Sequence, residues 1–137
     1  MNRNTVYCII LICFALNSFG QNSNSVEELK RLVAEQSNDS TKVNTLLDIA
    51  SQFWRSQPDS SMVYSSKAID LATKINFKKG LAYAFKNMGL GHYTKGDFSD
   101  VLIHWEQSLA IFEEINDEKG ISNLLSNIGA VYQTKGD

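Results

Sequence analysis

Lys78–Asp97 reads KKGLAYAFKNMGLGHYTKGD, and Glu118–Asp137, 40 residues further on, reads EKGISNLLSNIGAVYQTKGD. Eight of these twenty positions are identical: Lys79/Lys119, Gly80/Gly120, Asn87/Asn127, Gly89/Gly129, and the strings Thr94–Asp97 and Thr134–Asp137. Ile75-Asn76 and Ile115-Asn116 keep the same register. A fixed period of this length marks stacked repeats, each burying its apolar face only against its neighbours. It predicts a surface for binding rather than a pocket for chemistry.

Outward from this stretch, the spacing of apolar residues is helical throughout, and nothing alternates with period two, so no strands are predicted. Gly80–Lys95 forms one helix, which Gly96-Asp97 breaks. Phe98, Val101, Leu102, Trp105, Leu109, Phe112 and Ile115 then line one side of its partner. Upstream, Val43, Leu46, Leu47, Ala50, Phe53 and Trp54 form a stripe that runs to about Arg55. Pro58 follows it, and Asp59 or Ser60 starts the next helix, with Tyr64, Ala68, Leu71, Ala72 and Ile75 inward. A shorter helix, with Ser25 and Glu28 as a capping box, ends near Gln36, and Asp39 or Ser40 caps the one after it. Gly89 and Gly129 sit mid-helix, where glycine costs about 1 kcal/mol relative to alanine, and this predicts close approach of a neighbouring helix. Gly96 and Gly136 are expected in the left-handed conformation that ends a helix, and Asp97 is expected to cap the next.

The string Asn-Met-Gly-x-x-His-x-x-x-Gly-Asp-Phe at 87–98, followed by Trp105 and Leu109, resembles a tetratricopeptide repeat of the extended, roughly 40-residue kind. The family's bulky, Leu-Gly-like, aromatic and small slots read here Phe85, Met88-Gly89, His92, Gly96, Phe98, Val101, Trp105 and Ser108. The third copy supplies Leu125, Ile128-Gly129, Tyr132 and Gly136. In the first copy Leu46, Ile49-Ala50, Phe53, Ser61 and Ala68 match, while Pro58 replaces an aromatic and the turn is one residue shorter. The resemblance covers about Thr41–Asp137. It implies an all-α fold, an antiparallel helix-pair α-solenoid of about two and a half repeats (41–77, 78–117 and 118–137). The third copy carries only its first helix, so Leu124, Leu125, Ile128 and Tyr132 are expected to be partly uncovered. A longer protein or a covering chain is the corresponding expectation.

The chain has 137 residues, 43% of them hydrophobic, and a formal charge of −2 with no basic stripe, which argues against nucleic-acid binding. Residues 1–20 read as an export signal: Arg3, then the apolar run Val6–Leu16, then Ser18 and Gly20 before a cleavage site at Gln21. That run is too short for a membrane span, which needs about 20 residues. An uncleaved anchor is the alternative. Both cysteines, Cys8 and Cys13, fall within the signal, so the mature chain (a leader at 21–40, then the repeats) has none for disulfides or thiolate sites. The predicted location is the periplasm or the outer side of the membrane.

The resemblance implies that the first helix of each pair lines a concave face that holds a peptide or a partner segment. On that face fall Tyr83, Lys86, Asn87, Leu90, Tyr93 and Thr94, and then Asn123, Ser126, Asn127, Ala130, Gln133 and Thr134. An asparagine amide both donates and accepts, so Asn87 and Asn127 suit successive peptide units of an extended ligand. Alternatively they bond a neighbouring helix and stabilise the stack. Asp48 occupies the slot in the first repeat. Lys86-Asn87 resembles part of a carboxylate clamp, but Leu47 and Ser126 stand where further cations are needed. Trp54-Arg55 could reach the rim of the face. His92 falls in an aromatic packing slot, and neither it nor His104 has a sequence neighbour suited to a zinc site. Glu113-Glu114 and Asp117-Glu118 read as helix-end charges rather than an acid–base pair. No catalytic motif, metal site or cofactor is expected.

The leader and repeats together resemble the N-terminal sensory regions of bacterial membrane signalling proteins. The resemblance implies a protein-interaction module of a longer signalling protein, of the histidine kinase or nucleotide cyclase type. The competing expectation is a stand-alone periplasmic or secreted assembly scaffold. Either takes a protein or peptide as partner, with no nucleic acid, and meets a membrane only through the leader or a downstream span.

Overall fold

The computed structural model describes residues 26–136, and every regular element among them is an α-helix. In order these are α1 (26–35), α2 (Ser40–Phe53), α3 (Pro58–Lys74), α4 (Lys78–Lys95), α5 (Phe98–Glu114) and α6 (Glu118–Lys135). Residues 1–20, where an export signal is expected, and Ser25 lie outside the described residues. Glu28, the other half of the expected capping box, pairs with Arg31 at 2.7 Å.

The helix starts follow local chemistry, with two departures from the sequence reading. Asp39 caps α2 by accepting the N–H groups of Thr41 and Lys42, and Asp117 caps α6 by accepting that of Gly120 at 2.9 Å. Proline opens α3 itself, so the helix begins at Pro58 and not at Asp59 or Ser60; its missing N–H costs nothing in the first turn. Asp97 stands at the N-cap of α5, but its side chain makes no capping bond. The expected cap is therefore absent, and the carboxylate faces His92 instead.

The ends of α3, α4 and α5 share one construction, whereas α2 runs out through Trp54 in the right-handed region. At α4, Gly96 takes φ 81° and the Asp97 N–H reaches back to the His92 carbonyl at 3.1 Å. At α3 and α5 the left-handed residue is an asparagine: Asn76 and Asn116 both have φ 55°. The following N–H then bonds five residues back, Phe77 to Ala72 at 2.8 Å and Asp117 to Phe112 at 2.9 Å. Asparagine tolerates this conformation better than other residues with a Cβ. The recurrence of Ile-Asn at 75–76 and 115–116 is thus a turn device.

Turns of two to four residues reverse the chain between successive helices from α2 to α6. Bonds far apart in sequence fix the antiparallel pairing. Lys95, at the end of α4, meets Asp59 at the start of α3, and Lys78, at the start of α4, pairs with Glu114 at the end of α5. Two buried hydroxyls reinforce it, Ser61 donating to the Ala50 carbonyl and Ser108 to that of Ala82, both at 2.8 Å. α2 and α4, by contrast, lie parallel: Asn87 bonds Leu47 and Thr94 bonds Trp54, each across 40 residues.

α4 is the central helix, in contact with α2, α3 and α5. Its sequence allows this because Gly80, Ala82, Ala84, Gly89 and Gly91 keep it thin on several sides. One core gathers Val43, Leu46, Leu47, Ala68, Ala72 and Ala84; a second gathers Ala82, Val101, Trp105, Phe112, Leu124 and Val131. The pattern of buried, half-buried and exposed residues over 61–80 recurs position for position over 101–120. A sequence period has become a packing period.

The mid-helix glycines divide. A Cβ on Gly89 would fall within the Trp105 ring, whereas one on Gly129 would meet nothing within 4 Å. Close approach therefore holds at Gly89, through the side chain of the paired helix, and not at Gly129. Leu124 also departs from expectation: it is fully buried against α5, while Leu125 and Tyr132 are exposed and Ile128 is half-buried.

Candidate functional site

Between the parallel helices α2 and α4 runs a groove of about 340 Å³, lined by Asn44, Leu47, Asp48, Ser51, Tyr83, Lys86 and Asn87. The polar residues of α2 fall at 44, 48 and 51, one face of a helix whose other face carries Val43, Leu46 and Ala50 into the core. α4 brings Tyr83, Lys86 and Asn87 to the opposite wall by the same periodicity. Three of the sequence-predicted residues thus meet in one place.

Tyr83 is half-buried, with its ring set edge-on against Phe112 at a centroid distance of 5.1 Å. That contact holds the ring as a fixed wall. The Lys86 ammonium lies 5.5 Å from the Tyr83 centroid, within the range of a cation–π contact. Burial pulls its pKa below that of an ordinary lysine, because the charged form loses water there. Across the groove Asp48 is exposed and carries the opposite charge.

Asn87 is buried, and its Nδ2 donates to the Leu47 carbonyl at 3.4 Å. This is the helix-bonding alternative of the two left open by the sequence. The amide rivets α4 to α2 and leaves Oδ1 as its remaining acceptor. Tyr93 sits two turns further along α4, exposed at its edge and stacked on Trp105 with centroids 6.2 Å apart. Asn123 and Gln133 are exposed and Asn127 half-buried on α6, and none of the three lines the groove. The Arg55 guanidinium folds onto the Trp54 ring, 4.4 Å from its centroid.

The sequence alone points to neither Asn44 nor Ser51, and to Asp48 only as a break in the asparagine series. The available signal was the i, i+4, i+7 polar stripe opposite the apolar one. It needed a pairing partner to have meaning, and the parallel placement of α4 supplies that.

A second polar cluster sits where α4 turns into α5. His92 Nδ1 is buried and without a hydrogen-bond partner, 3.6 Å from Asp97 Oδ2 and 3.8 Å from Asp100 Oδ2. The sequence reading placed no carboxylates beside the histidines; the tight turn brings two. His92 also stacks on His104, which in turn stacks on Phe85. Burial pulls the His104 pKa below that of an ordinary imidazole; the Gln107 bond opposes this, nearby His92 adds to it, and Asp100 opposes it. The three donor atoms of His92, Asp97 and Asp100 lie within 4.8 Å of one another. Glu114 and Asp117 are engaged with Lys78 and Lys79, as helix-end charges would be.

No family model, curated protein or solved structure matches the chain.

Proposed function

We propose that this chain is a protein-interaction module, a tetratricopeptide-like solenoid whose α2–α4 groove receives an extended peptide segment of a partner. One observation carries the reading. Helices one period apart lie parallel and present side chains of both charges, amides and a fixed aromatic wall along a shared groove. An extended peptide offers alternating donors and acceptors, which Asn44, Ser51 and the Asn87 carbonyl oxygen complement. Lys86 and Asp48 bind charged groups of opposite sign on the segment and so set its direction. Lys86 is the stronger anchor of the two, since it is the more desolvated.

The reading of residues 1–20 as an export signal supports a location on the periplasmic or outer side of the membrane, as the sensory or scaffold part of a signalling protein. Binding there is read out elsewhere. The fold-level resemblance supports this assignment, and the site supports the binding itself.

Selection of random displayed peptides on the immobilised chain tests the reading. Peptides that survive selection should lose about tenfold or more in affinity to the Lys86→Ala and Asp48→Ala variants, the scale of a central interface residue. Selected peptides that bind both variants as tightly as the unmodified chain would place the recognition surface elsewhere.

A further inference from the structure

The repeat places two equivalent grooves along the chain, and they are filled differently. The groove where α3, α4 and α5 meet holds about 130 Å³ of space; the one where α1, α2 and α3 meet holds about 330 Å³, enough for a small organic molecule. The register that aligns Leu46 with Phe85 and Ala68 with Ser108 shows why. Phe77 and Leu81 line the second groove, and Asn38 and Lys42 stand in their places in the first. At the mouth of the second, Lys78 neutralises Glu114; in the first, Lys74 takes the place of the glutamate. Asp39 takes the place of Lys78, but its carboxylate already accepts the N–H groups of Thr41 and Lys42 and the Ser37 hydroxyl. What is left in the first groove is an apolar wall of Val33, Leu46 and Leu71 beneath Lys42, Lys67 and Lys74, with Asp70 as the single acid. Lys42 is held at the mouth by its bond to the Gln36 carbonyl at 3.4 Å. Among the described residues none of these three lysines is ion-paired. In a chain of formal charge −2, this local excess of positive charge runs against the overall balance.

We propose that this pocket binds a small organic acid, a carboxylate with an aliphatic body of medium length. The hydrocarbon lies against Val33, Leu46 and Leu71, out of water, and the carboxylate sits among the ammonium groups at the mouth. Both halves are needed. Exposed lysines by themselves hold a carboxylate weakly, against competition from water and salt. The apolar wall by itself does not tell an acid from an alcohol. Together they select a molecule that carries both features. The pocket takes Lys42 and Leu46 from α2, whereas the peptide groove takes Asn44, Leu47, Asp48 and Ser51, so the two sites are separate.

The probe is octanoate, titrated into the isotope-labelled full chain and followed by the shifts of assigned amide resonances. Saturable one-to-one binding is expected, with the shifts centred on Val33, Leu46 and Leu71. Lys74→Glu should weaken it about tenfold or more, since it turns an attraction into a repulsion. Asn38→Phe, which installs the residue of the second groove, should weaken it to a similar degree by filling the space. Both positions are exposed, so thermal unfolding of each variant monitors folding independently of binding. Octanol and acetate, each carrying one half of the ligand, should bind about tenfold more weakly than octanoate or worse. Absence of saturable binding to the folded chain would overturn the proposal, as would binding indifferent to both variants. Octanol bound as tightly as octanoate would leave the lysines without a part, and acetate bound as tightly would do the same for the apolar wall; either result sinks the idea. Shifts centred on Tyr83 and Lys86 would also overturn it, by moving the anion to the peptide groove.

Discussion

Gly89→Ala and Gly129→Ala make the same chemical change at the same point of the repeat, and the structure gives them opposite signs. Either variant gains about 1 kcal/mol of helix propensity. At Gly129 that is the whole effect, because nothing lies within 4 Å of the new carbon. At Gly89 the methyl group enters the volume of the Trp105 ring, which is buried and enclosed by α4 and α5. Forcing extra volume into a packed core costs about 1–3 kcal/mol. Moving the ring also breaks its bond to the Lys86 carbonyl, worth about 1 kcal/mol. Setting the helix gain against these costs leaves Gly89→Ala less stable by about 1–3 kcal/mol. Gly129→Ala should be more stable by up to about 1 kcal/mol. Urea unfolding followed by circular dichroism resolves a difference of this size. Equal shifts in the two variants would refute the account of Gly89 as a seat for Trp105.

Three further predictions rest on separate parts of the structure. Asn116→Ala should destabilise by about 1–2 kcal/mol and Asn116→Gly should not, because φ 55° strains a residue with a Cβ; equal stability of the two in a thermal melt would count against the turn reading. Asn87→Ala should lower stability by about 1 kcal/mol through loss of its bond to the Leu47 carbonyl, while Asn127→Ala, with no such bond among the described side chains, should stay within about 0.5 kcal/mol of the unmodified chain. Similar losses in both variants would show that the two amides share one role. Burial lowers the His104 pKa, so the unfolded chain takes up a proton there at a higher pH than the folded one. That contribution to stability is therefore complete above about pH 6.5 and is lost as pH falls below it. His104→Gln should flatten the slope in unfolding measured between neutral and mildly acidic pH, and an unchanged slope would sink the assignment.

The helices and their inward faces were legible because period and apolar spacing are local properties. Val43, Leu46, Ala68, Val101 and Phe112 follow directly from it. Gly96 and the Asp39 cap were equally readable, since each depends on residues two or three places away. What failed to show depends on contacts across turns. Asp97 has the sequence context of a cap, yet a histidine five residues back lies near its carboxylate. Leu124 and Leu125 are adjacent identical residues, and only the position of α5 decides that the first is buried and the second exposed. Gly89 and Gly129 have the same context in sequence and differ because one faces Trp105. The groove was half legible: α4 contributed Tyr83, Lys86 and Asn87 from the repeat register. The α2 wall waited on knowing that helices one period apart run parallel.

That parallel placement also bears on how the chain folds. Helix contacts are dominated by next neighbours in the chain and by α2 with α4, so even the bonds that join repeats span only 40 residues. Little entropy is lost in closing such short loops, and chains of low contact order fold fast. With two cores sharing α4 between them, folding can start at any adjacent pair and spread in either direction. Amide exchange should then be slowest in α4, the helix surrounded on three sides. It should quicken toward α1 and α6, so that the chain opens by peeling from its outer helices while its middle stays closed.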